Sequence, residues 1–220
     1  MNIDKRTIRA SPFVGIFSIV TEEIAIMPLD MEKKEEKGLE QLLGVELVRA
    51  SLADSPLLGV LGRGIGKKFV FSELLSDSDL DSLREKGLSV KRISGVTALG
   101  NLLAVNENGC LCSRVLSREQ AEDISSFLGV RVLSTTIAGS DIVGSAVCAT
   151  KNGFIAHPLA AKKELALARE AFGVQGILTT ANYGDRFVAN SVVANSFGAI
   201  VGNRTTAHEI IRIDEAFSQK

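Results

Sequence analysis

The 220-residue sequence contains no tryptophan, one tyrosine, four prolines and three cysteines. The odd set Cys110, Cys112 and Cys148 cannot form a disulfide framework, which favours a reducing, cytoplasmic location. No apolar run reaches the roughly 18 residues of a transmembrane helix, so no contact with a membrane is expected. Lys and Arg number 25 against 26 Asp and Glu. This balance argues against a protein that binds mainly the phosphate backbone of nucleic acids.

Glycine, in contrast, is abundant, and its 20 copies are many for a helical bundle but too few for collagen or a disordered chain. Four glycines follow similar short segments, such as Pro12-Phe13-Val14-Gly15. A fifth segment has alanine in the same place. We call these five residues the anchors: Gly15, Gly59, Gly100, Gly144 and Ala189. Their spacing of 41–45 residues indicates five internal repeats of about 44 residues.

Each repeat has the same predicted order of elements. An apolar run around the anchor, Phe13–Val20 in the first repeat, predicts a buried strand. A tight turn such as Asn106 to Gly109 then predicts a β-hairpin. An amphipathic helix follows and ends at a glycine. The helix after the capping box of Ser117, which ends at Gly129, is typical. A short strand then completes the unit.

The fifth repeat lacks its last strand, because its predicted helix, Ala207–Phe217, is followed by only a few residues. The segment Thr7–Ser11 resembles Leu47–Ser51, so the N-terminal part of the chain is predicted to supply this strand. We therefore predict a single α/β domain, a closed propeller over residues 1–220. Its expected repeats are 10–54, 55–95, 96–139, 140–184 and 185–220, with 1–9 closing the ring.

Several motifs in this order resemble the archaeal translation initiation factor 6 family and its pentein fold. They are Thr97-Ala98-Leu99-Gly100-Asn101, Val143-Gly144-Ser145, Ala156-His157-Pro158, Thr180-Ala181-Asn182-Tyr183-Gly184, Asn195-Ser196-Phe197-Gly198 and Gly202-x-x-Thr205-Thr206-x-x-Glu209. The resemblance implies a monomer that binds the intersubunit face of the large ribosomal subunit and blocks joining of the small subunit, with a possible role in large-subunit biogenesis. The implied contact is ribosomal protein uL14, near the sarcin–ricin loop. No cofactor, metal site, catalytic residue or small-molecule substrate is implied.

The family pattern also implies a ribosome-binding face. It carries over onto Gly15, Gly59, Gly100, Asn101, Gly144 and Ser145, and Asn190 occupies the repeat position of Asn101 and Ser145. Glycine at the anchors would let the backbone of a partner come close. The three polar residues would form a composite patch, or else they would only cap strand ends and hydrate the rim. Val60 and Ala189 depart from the pattern.

One predicted hairpin turn, residues 63–68, is basic. Its Arg63, Lys67 and Lys68 are candidates for contact with one or two phosphates of ribosomal RNA. The alternative is a solvated hairpin tip without a ligand.

Two other function classes remain open. The pentein fold also carries guanidino-group-modifying enzymes, which need a nucleophilic cysteine late in the chain beside a histidine. No cysteine follows Cys148, and the two histidines are His157 and His208, neither of which has a cysteine at the same repeat position. The other alternative is a structural ring that associates with copies of itself.

Overall fold

In the computed structural model, which describes residues 1–219, the chain forms five three-stranded sheets. The first unit begins with a one-turn helix, α1 (Val14–Phe17), followed by the hairpin strands β2 (Ile19–Val20) and β3 (Ile24–Pro28). A longer helix, α2 (Lys33–Leu43), leads to the last strand, β4 (Glu46–Ala50).

The other four units repeat this order. Unit 2 consists of α3 (Leu58–Leu61), β5 (Gly62–Ile65), β6 (Lys68–Phe71), α4 (Asp77–Glu85) and β7 (Ser89–Arg92). Unit 3 consists of α5 (Leu99–Leu102), β8 (Leu103–Asn106), β9 (Gly109–Ser113), α6 (Arg118–Leu128) and β10 (Arg131–Thr135). Unit 4 consists of α7 (Val143–Ala146), β11 (Val147–Ala149), β12 (Phe154–Ala156), α8 (Lys162–Phe172) and β13 (Gly176–Leu178). Unit 5 consists of α9 (Val188–Ser191), β14 (Val192–Ala194), β15 (Gly198–Gly202) and α10 (Ala207–Phe217).

The N-terminal strand β1 (Asn2–Arg6) completes the fifth sheet. It pairs in parallel with β15, in the way that β10 pairs with β9 in unit 3. The five-repeat α/β fold closed by the N-terminal strand is therefore confirmed. The expected register was wrong, however. The segment Thr7–Ser11 is a turn with an Ile8–Ser11 bridge. It corresponds to the turn of unit 1 that contains the Leu52–Ser55 bridge, and not to strand β4, which precedes that turn.

The apolar run around each anchor also differs from the prediction. Phe13–Val20 is not one strand, because Val14–Phe17 is helical and only Ile19–Val20 is extended. A short continuous apolar run fits a buried helical turn as well as a buried strand, so periodicity cannot separate the two. Each anchor consequently lies inside a one-turn helix that turns the chain into the hairpin.

The longer helices follow their local signals closely. Ser117 accepts a hydrogen bond from the Gln120 N–H while the Gln120 side chain accepts one from the Ser117 N–H, as the capping box predicts. Helix α6 ends at Gly129, which has a left-handed φ of 79°. That conformation costs glycine less than a residue with a Cβ atom, so the sequence marks this helix end clearly.

The core lies between neighbouring units and continues around the ring. Phe69 and Phe71 of unit 2 pack in one cluster with Ile24 and Ile26 of unit 1. The closing interface is built in the same way, with Ile200 of unit 5 in one cluster with apolar residues of unit 1. Because every interface is apolar, no unit can bury its own surface alone. Within residues 1–219 no helix is long and apolar enough to cross a membrane.

Buried amides join the units at their hairpin turns. The Asn106 Nδ2 donates to the carbonyl oxygens of Thr150 and Phe172, both at 3.0 Å, in the next unit. Across the closing interface, Asn195 Nδ2 donates to Thr21 O at 3.1 Å and Leu43 O at 2.7 Å. The interface that closes the ring, between units 5 and 1, thus uses the same kind of contact as the interface between units 3 and 4.

Candidate binding faces of the ring

The ring has two chemically different ends. In each unit the first strand runs from the one-turn helix to the hairpin turn, and the antiparallel second strand returns. All five anchors therefore lie at one end, which we call the anchor end, together with the turns that precede the long helices. The hairpin turns and the C-termini of the long helices lie at the opposite end, which we call the tip end.

At the anchor end the one-turn helices contact one another in a closed circle, α1 with α3, α5, α7, α9 and back to α1. A Cβ atom on Gly59 would lie 1.9 Å from the carbonyl oxygen of Gly15, and one on Gly100 would lie 2.1 Å from that of Gly59. On Gly144 it would lie 2.2 Å from the Gly100 oxygen. The ring itself therefore requires these glycines. The space beside them is filled by the chain, so a partner's backbone does not have the access that the sequence suggested.

The polar residues after the anchors form part of the same end. Asn101 and Asn190 are half-buried, and Ser145 is buried. The Ser145 hydroxyl donates to Asn101 Oδ1 at 3.3 Å, which links units 3 and 4. These side chains sit within the one-turn helices, next to the ring axis. Two of the three side chains are thus brought together, with Ser145 buried beneath the surface.

The anchor end also carries most of the exposed apolar surface. Of nine exposed large apolar or aromatic side chains among residues 1–219, seven lie at this end: Phe13, Leu29, Leu57, Leu74, Val115, Leu159 and Tyr183. Three of them, Leu74, Val115 and Leu159, share one repeat position in the turn before the long helix, and Leu29 lies one position earlier in the corresponding turn. These residues were not predicted from the sequence, although the spacing of Leu74, Val115 and Leu159 equals that of their anchors. Exposed apolar surface concentrated in one region is typical of an interaction site.

Arg63 lies elsewhere than predicted. The strand β5 continues to Ile65, so the hairpin turn is only Gly66 and Lys67, and Arg63 belongs to the strand. Its guanidinium points to the ring axis, where Nη1 donates to the carbonyl oxygens of Gly59 and Gly62 and Nη2 donates to Gly144 O at 3.3 Å. Burial lowers the pKa of Arg63 to about 10. Arg63 therefore does not lie at the hairpin tip, where it was expected from the sequence, and its contact with RNA stays a prediction.

Lys67 and Lys68 are exposed, but they lie at the tip end. The Lys67 ammonium is 4.0 Å from the carboxylate of Glu46. The Lys68 ammonium lies beside Gly129, at the C-terminus of α6, where the helix dipole favours a cation. The predicted RNA contact and the predicted ribosome-binding residues thus face opposite directions, and one flat partner surface cannot touch both.

The thiols and imidazoles do not form a nucleophile–base pair. Cys148 borders the ring axis, and burial raises the pKa of its thiol to about 12, whereas a nucleophilic cysteine needs a lowered pKa. His157 is buried at the anchor end, where its Nδ1 accepts the Leu159 N–H at 3.1 Å and its ring packs edge-on against Phe187. Among residues 1–219, no group of three or more His, Cys, Asp or Glu side chains could hold a metal ion.

The comparisons with known proteins agree with this geometry. The N-terminal domain of ArgZ, an arginine dihydrolase from the ornithine–ammonia cycle in cyanobacteria, has a TM-score of 0.54 at 12% identity, over 82% of this chain and 80% of that one, which shows the fold alone. Two proteins called translation initiation factor 6 are 32% identical in Pyrococcus abyssi and 36% identical in Pyrococcus furiosus, with 98% of each chain covered. The model of the eIF-6 family matches residues 3–216. The chain therefore belongs to the eIF-6 family.

Proposed function

We propose that this protein acts as a translation initiation factor 6 that binds the large ribosomal subunit at its intersubunit face. There it prevents the small subunit from joining, because the ring occupies the space that the small subunit needs. The proposed partner is ribosomal protein uL14, close to the sarcin–ricin loop. The mechanism is steric, so it requires a rigid ring but no bound cofactor and no chemical step.

The gathering of exposed apolar side chains at the anchor end carries this proposal. The centres of protein–protein interfaces are depleted in charge and enriched in apolar and aromatic groups. Phe13 and Leu57 flank two neighbouring one-turn helices, and Asn101 and Asn190 add polar groups closer to the axis. We propose that the partner rests on these side chains, with the anchor glycines as the framework beneath them.

The tip end fits this role less well. Its turns carry Glu22, Glu23, Lys67, Glu107 and Lys151, and these charges partly neutralise each other, as in the 3.7 Å contact of Lys151 with Glu22. The net charge of −1 also favours a contact with protein over a contact dominated by RNA phosphates. A contact of Lys67 and Lys68 with RNA stays a separate proposal for this end.

Cosedimentation with purified ribosomal subunits tests the proposal. The wild-type protein should migrate with free large subunits and be absent from joined ribosomes. Phe13→Ser combined with Leu57→Ser should weaken binding to the large subunit at least about tenfold, the equivalent of roughly 1.4 kcal/mol. Phe197→Ser, which removes an exposed phenylalanine at the tip end, is the matched control and should leave binding within about twofold.

Two results would contradict the proposal. Equal recovery of the wild-type protein on free subunits and on joined ribosomes would exclude the steric mechanism. A loss of binding in the Phe197 variant, with the Phe13 and Leu57 variant unaffected, would move the contact to the tip end.

We also propose that the protein is a monomer without enzymatic activity, since its relatives are named as translation factors. The protonated Cys148 thiol supports this proposal. Cys148→Ala should retain full binding to the large subunit, and neither form should turn over arginine or citrulline. Sedimentation of a dimer or larger ring assembly in the absence of ribosomes would favour the self-associating alternative instead.

A further inference from the structure

A small cavity lies on the ring axis, below the circle of anchors. Its volume is about 50 Å³, and each unit contributes a residue to its wall: Val20, Gly64, Val105, Ala149 and Ala194. A buried water needs about 10–15 Å³ of such space. The cavity therefore has room for one small ion with a little water, and it is too small for an organic substrate.

Arg63 is the charged side chain in the cavity wall. A guanidinium has five N–H groups, and those of Arg63 make three hydrogen bonds, to the carbonyl oxygens of Gly59, Gly62 and Gly144. The Nε–H and one Nη2–H have no acceptor among residues 1–219. No fully buried side-chain nitrogen in this part of the chain lacks a partner, so Nε retains some exposed surface, and Arg63 lines the cavity. Nε and Nη2 are the nitrogens with which arginine clamps anions.

The positive charge of Arg63 has no negative partner in the described residues. Its guanidinium makes no ion pair, and its acceptors are neutral carbonyl groups. Cys148, the other polar side chain facing Arg63, does not neutralise it, because burial raises the pKa of the thiol to about 12 even though Arg63 acts in the opposite direction. The protonated thiol is a weak hydrogen-bond donor. Two donors thus border the cavity, and Arg63, although half-buried, has a charge that is partly withdrawn from water without a partner, which costs free energy.

We propose that this axial cavity binds one small monovalent inorganic anion, of the size of chloride, between the Arg63 guanidinium and the Cys148 thiol. The anion neutralises Arg63, which itself joins unit 2 to unit 4 across the axis. Binding stabilises the closed ring, because an anion bound by the folded state and not by the unfolded chain shifts the equilibrium towards folding. The site is independent of the proposed contact with the ribosome.

Bromide tests the site directly, because it resembles chloride in size and scatters anomalously. Crystals of the wild-type protein grown in sodium bromide should show an anomalous peak in the cavity, within hydrogen-bonding distance of Arg63. The peak should be missing in Arg63→Met, which keeps the length of the side chain without its charge. A cavity that holds only water in the wild-type crystal, or a peak that persists in Arg63→Met, would overturn the proposal.

Thermal unfolding gives a second measurement. At constant ionic strength, replacing sodium gluconate with sodium chloride or bromide should raise the Tm of the wild-type protein in a saturable manner. At an anion concentration about 100-fold above the Kd, the rise should be roughly 5–10 °C. A Tm that is the same in all three salts would also overturn the proposal. Both wild-type measurements stand even if Arg63→Met does not fold.

Discussion

The two ends of the ring join the same five units by different means. At the anchor end, the absent side chain of one glycine admits the carbonyl oxygen of the preceding anchor residue. At the tip end, the buried amides of Asn106 and Asn195 reach into the next unit and bind two carbonyl groups each. The anchor end therefore holds together mainly through its backbone, with the Ser145–Asn101 hydrogen bond and the Arg63 contact to Gly144 as side-chain additions. Its outward apolar side chains stay free for a partner. At the tip end the side chains of Asn106 and Asn195 hold neighbouring units together, so these two residues are needed for the fold and are not free to bind a partner.

The largest effect should come from breaking the backbone contact at the anchor end. In Gly100→Ala the new Cβ would lie 2.1 Å from the Gly59 carbonyl oxygen, so the circle of helices must open. We expect a loss of about 3 kcal/mol or more in the free energy of unfolding, measured by urea denaturation. Gly38→Ala is the control. Its Cβ would meet only the end of the Arg6 side chain, at 3.7 Å, and alanine should stabilise this exposed part of α2 by about 0.5–1 kcal/mol. Equal stability of the two variants would contradict the role of the anchor glycines.

A smaller but clear loss is expected at the tip end. Asn195→Ala removes the donor to Thr21 and Leu43 and leaves both carbonyl groups unsatisfied in the closing interface. We expect the free energy of unfolding, measured by urea denaturation, to fall by about 2–3 kcal/mol. Asn106→Ala, at the same contact inside the ring, should cost a similar amount. Asn190→Ala at the anchor end should be nearly neutral for stability. A much larger effect at Asn195 than at Asn106 would mean that the closing interface is weaker than the others.

The outer rim of the anchor end should respond to pH. The Glu209 carboxylate accepts hydrogen bonds from the Gly184 N–H at 2.9 Å and the Thr180 hydroxyl at 2.7 Å. Burial opposes its ionisation, but these bonds and those from Thr206 together lower the pKa of Glu209. A lowered pKa in the folded state stabilises the protein above the pKa of the unfolded chain, about 4.3, and this contribution disappears as the pH falls through the folded value.

Glu209→Gln should therefore lower the free energy of unfolding by about 1 kcal/mol at pH 7. On acidification below about pH 4.5, the free energy of unfolding of this variant should fall less than that of the wild-type protein. Urea denaturation at pH 7 and in that acidic range measures both effects. Glu215→Gln is the control, since Glu215 is exposed and forms only a surface ion pair with Arg212 at 2.9 Å. An unchanged acid dependence in Glu209→Gln would refute the role of this carboxylate.

The smallest effect is expected for the exposed lysines of the tip end. Lys68→Ala removes a cation beside the C-terminus of α6 and should lower the free energy of unfolding by about 0.5 kcal/mol or less. Binding to the large ribosomal subunit should stay within twofold, because Lys68 faces away from the anchor end. A tenfold loss of subunit binding would show that the tip end takes part in the contact.

The fold could be predicted from the sequence because its signals are local and repeated. Gly129 ends a helix and the Ser117 capping box starts one, whatever lies around them. The spacing of the anchors then predicted five units and showed that the last unit needs a strand from elsewhere in the chain. The one-turn helices could not be predicted, because an apolar run of that length has no periodicity that separates a buried helical turn from a strand.

The candidate site was harder to predict because it depends on where each residue lies relative to the ring axis. Arg63, Lys67 and Lys68 are neighbours in sequence, yet they lie in different parts of the ring. Side chains along β5 point alternately to its two faces, and that of Arg63 points to the axis. The short turn places the two lysines at the tip end. Asn101 lies at the opposite end of the ring. Likewise, Asn195 binds Thr21, which is 174 residues away along the chain, so its role depends on ring closure.

The pairing of β1 with β15 also sets the order in which the molecule can assemble during synthesis. The strand Asn2–Arg6 leaves the ribosome before all five units, but its partner, Gly198–Gly202, is made after the first four units are complete. Until then β1 has no ladder of hydrogen bonds, and the interface between units 5 and 1 does not exist. Contacts between segments so far apart in sequence form slowly. Four units must therefore persist as an open arc until the fifth arrives.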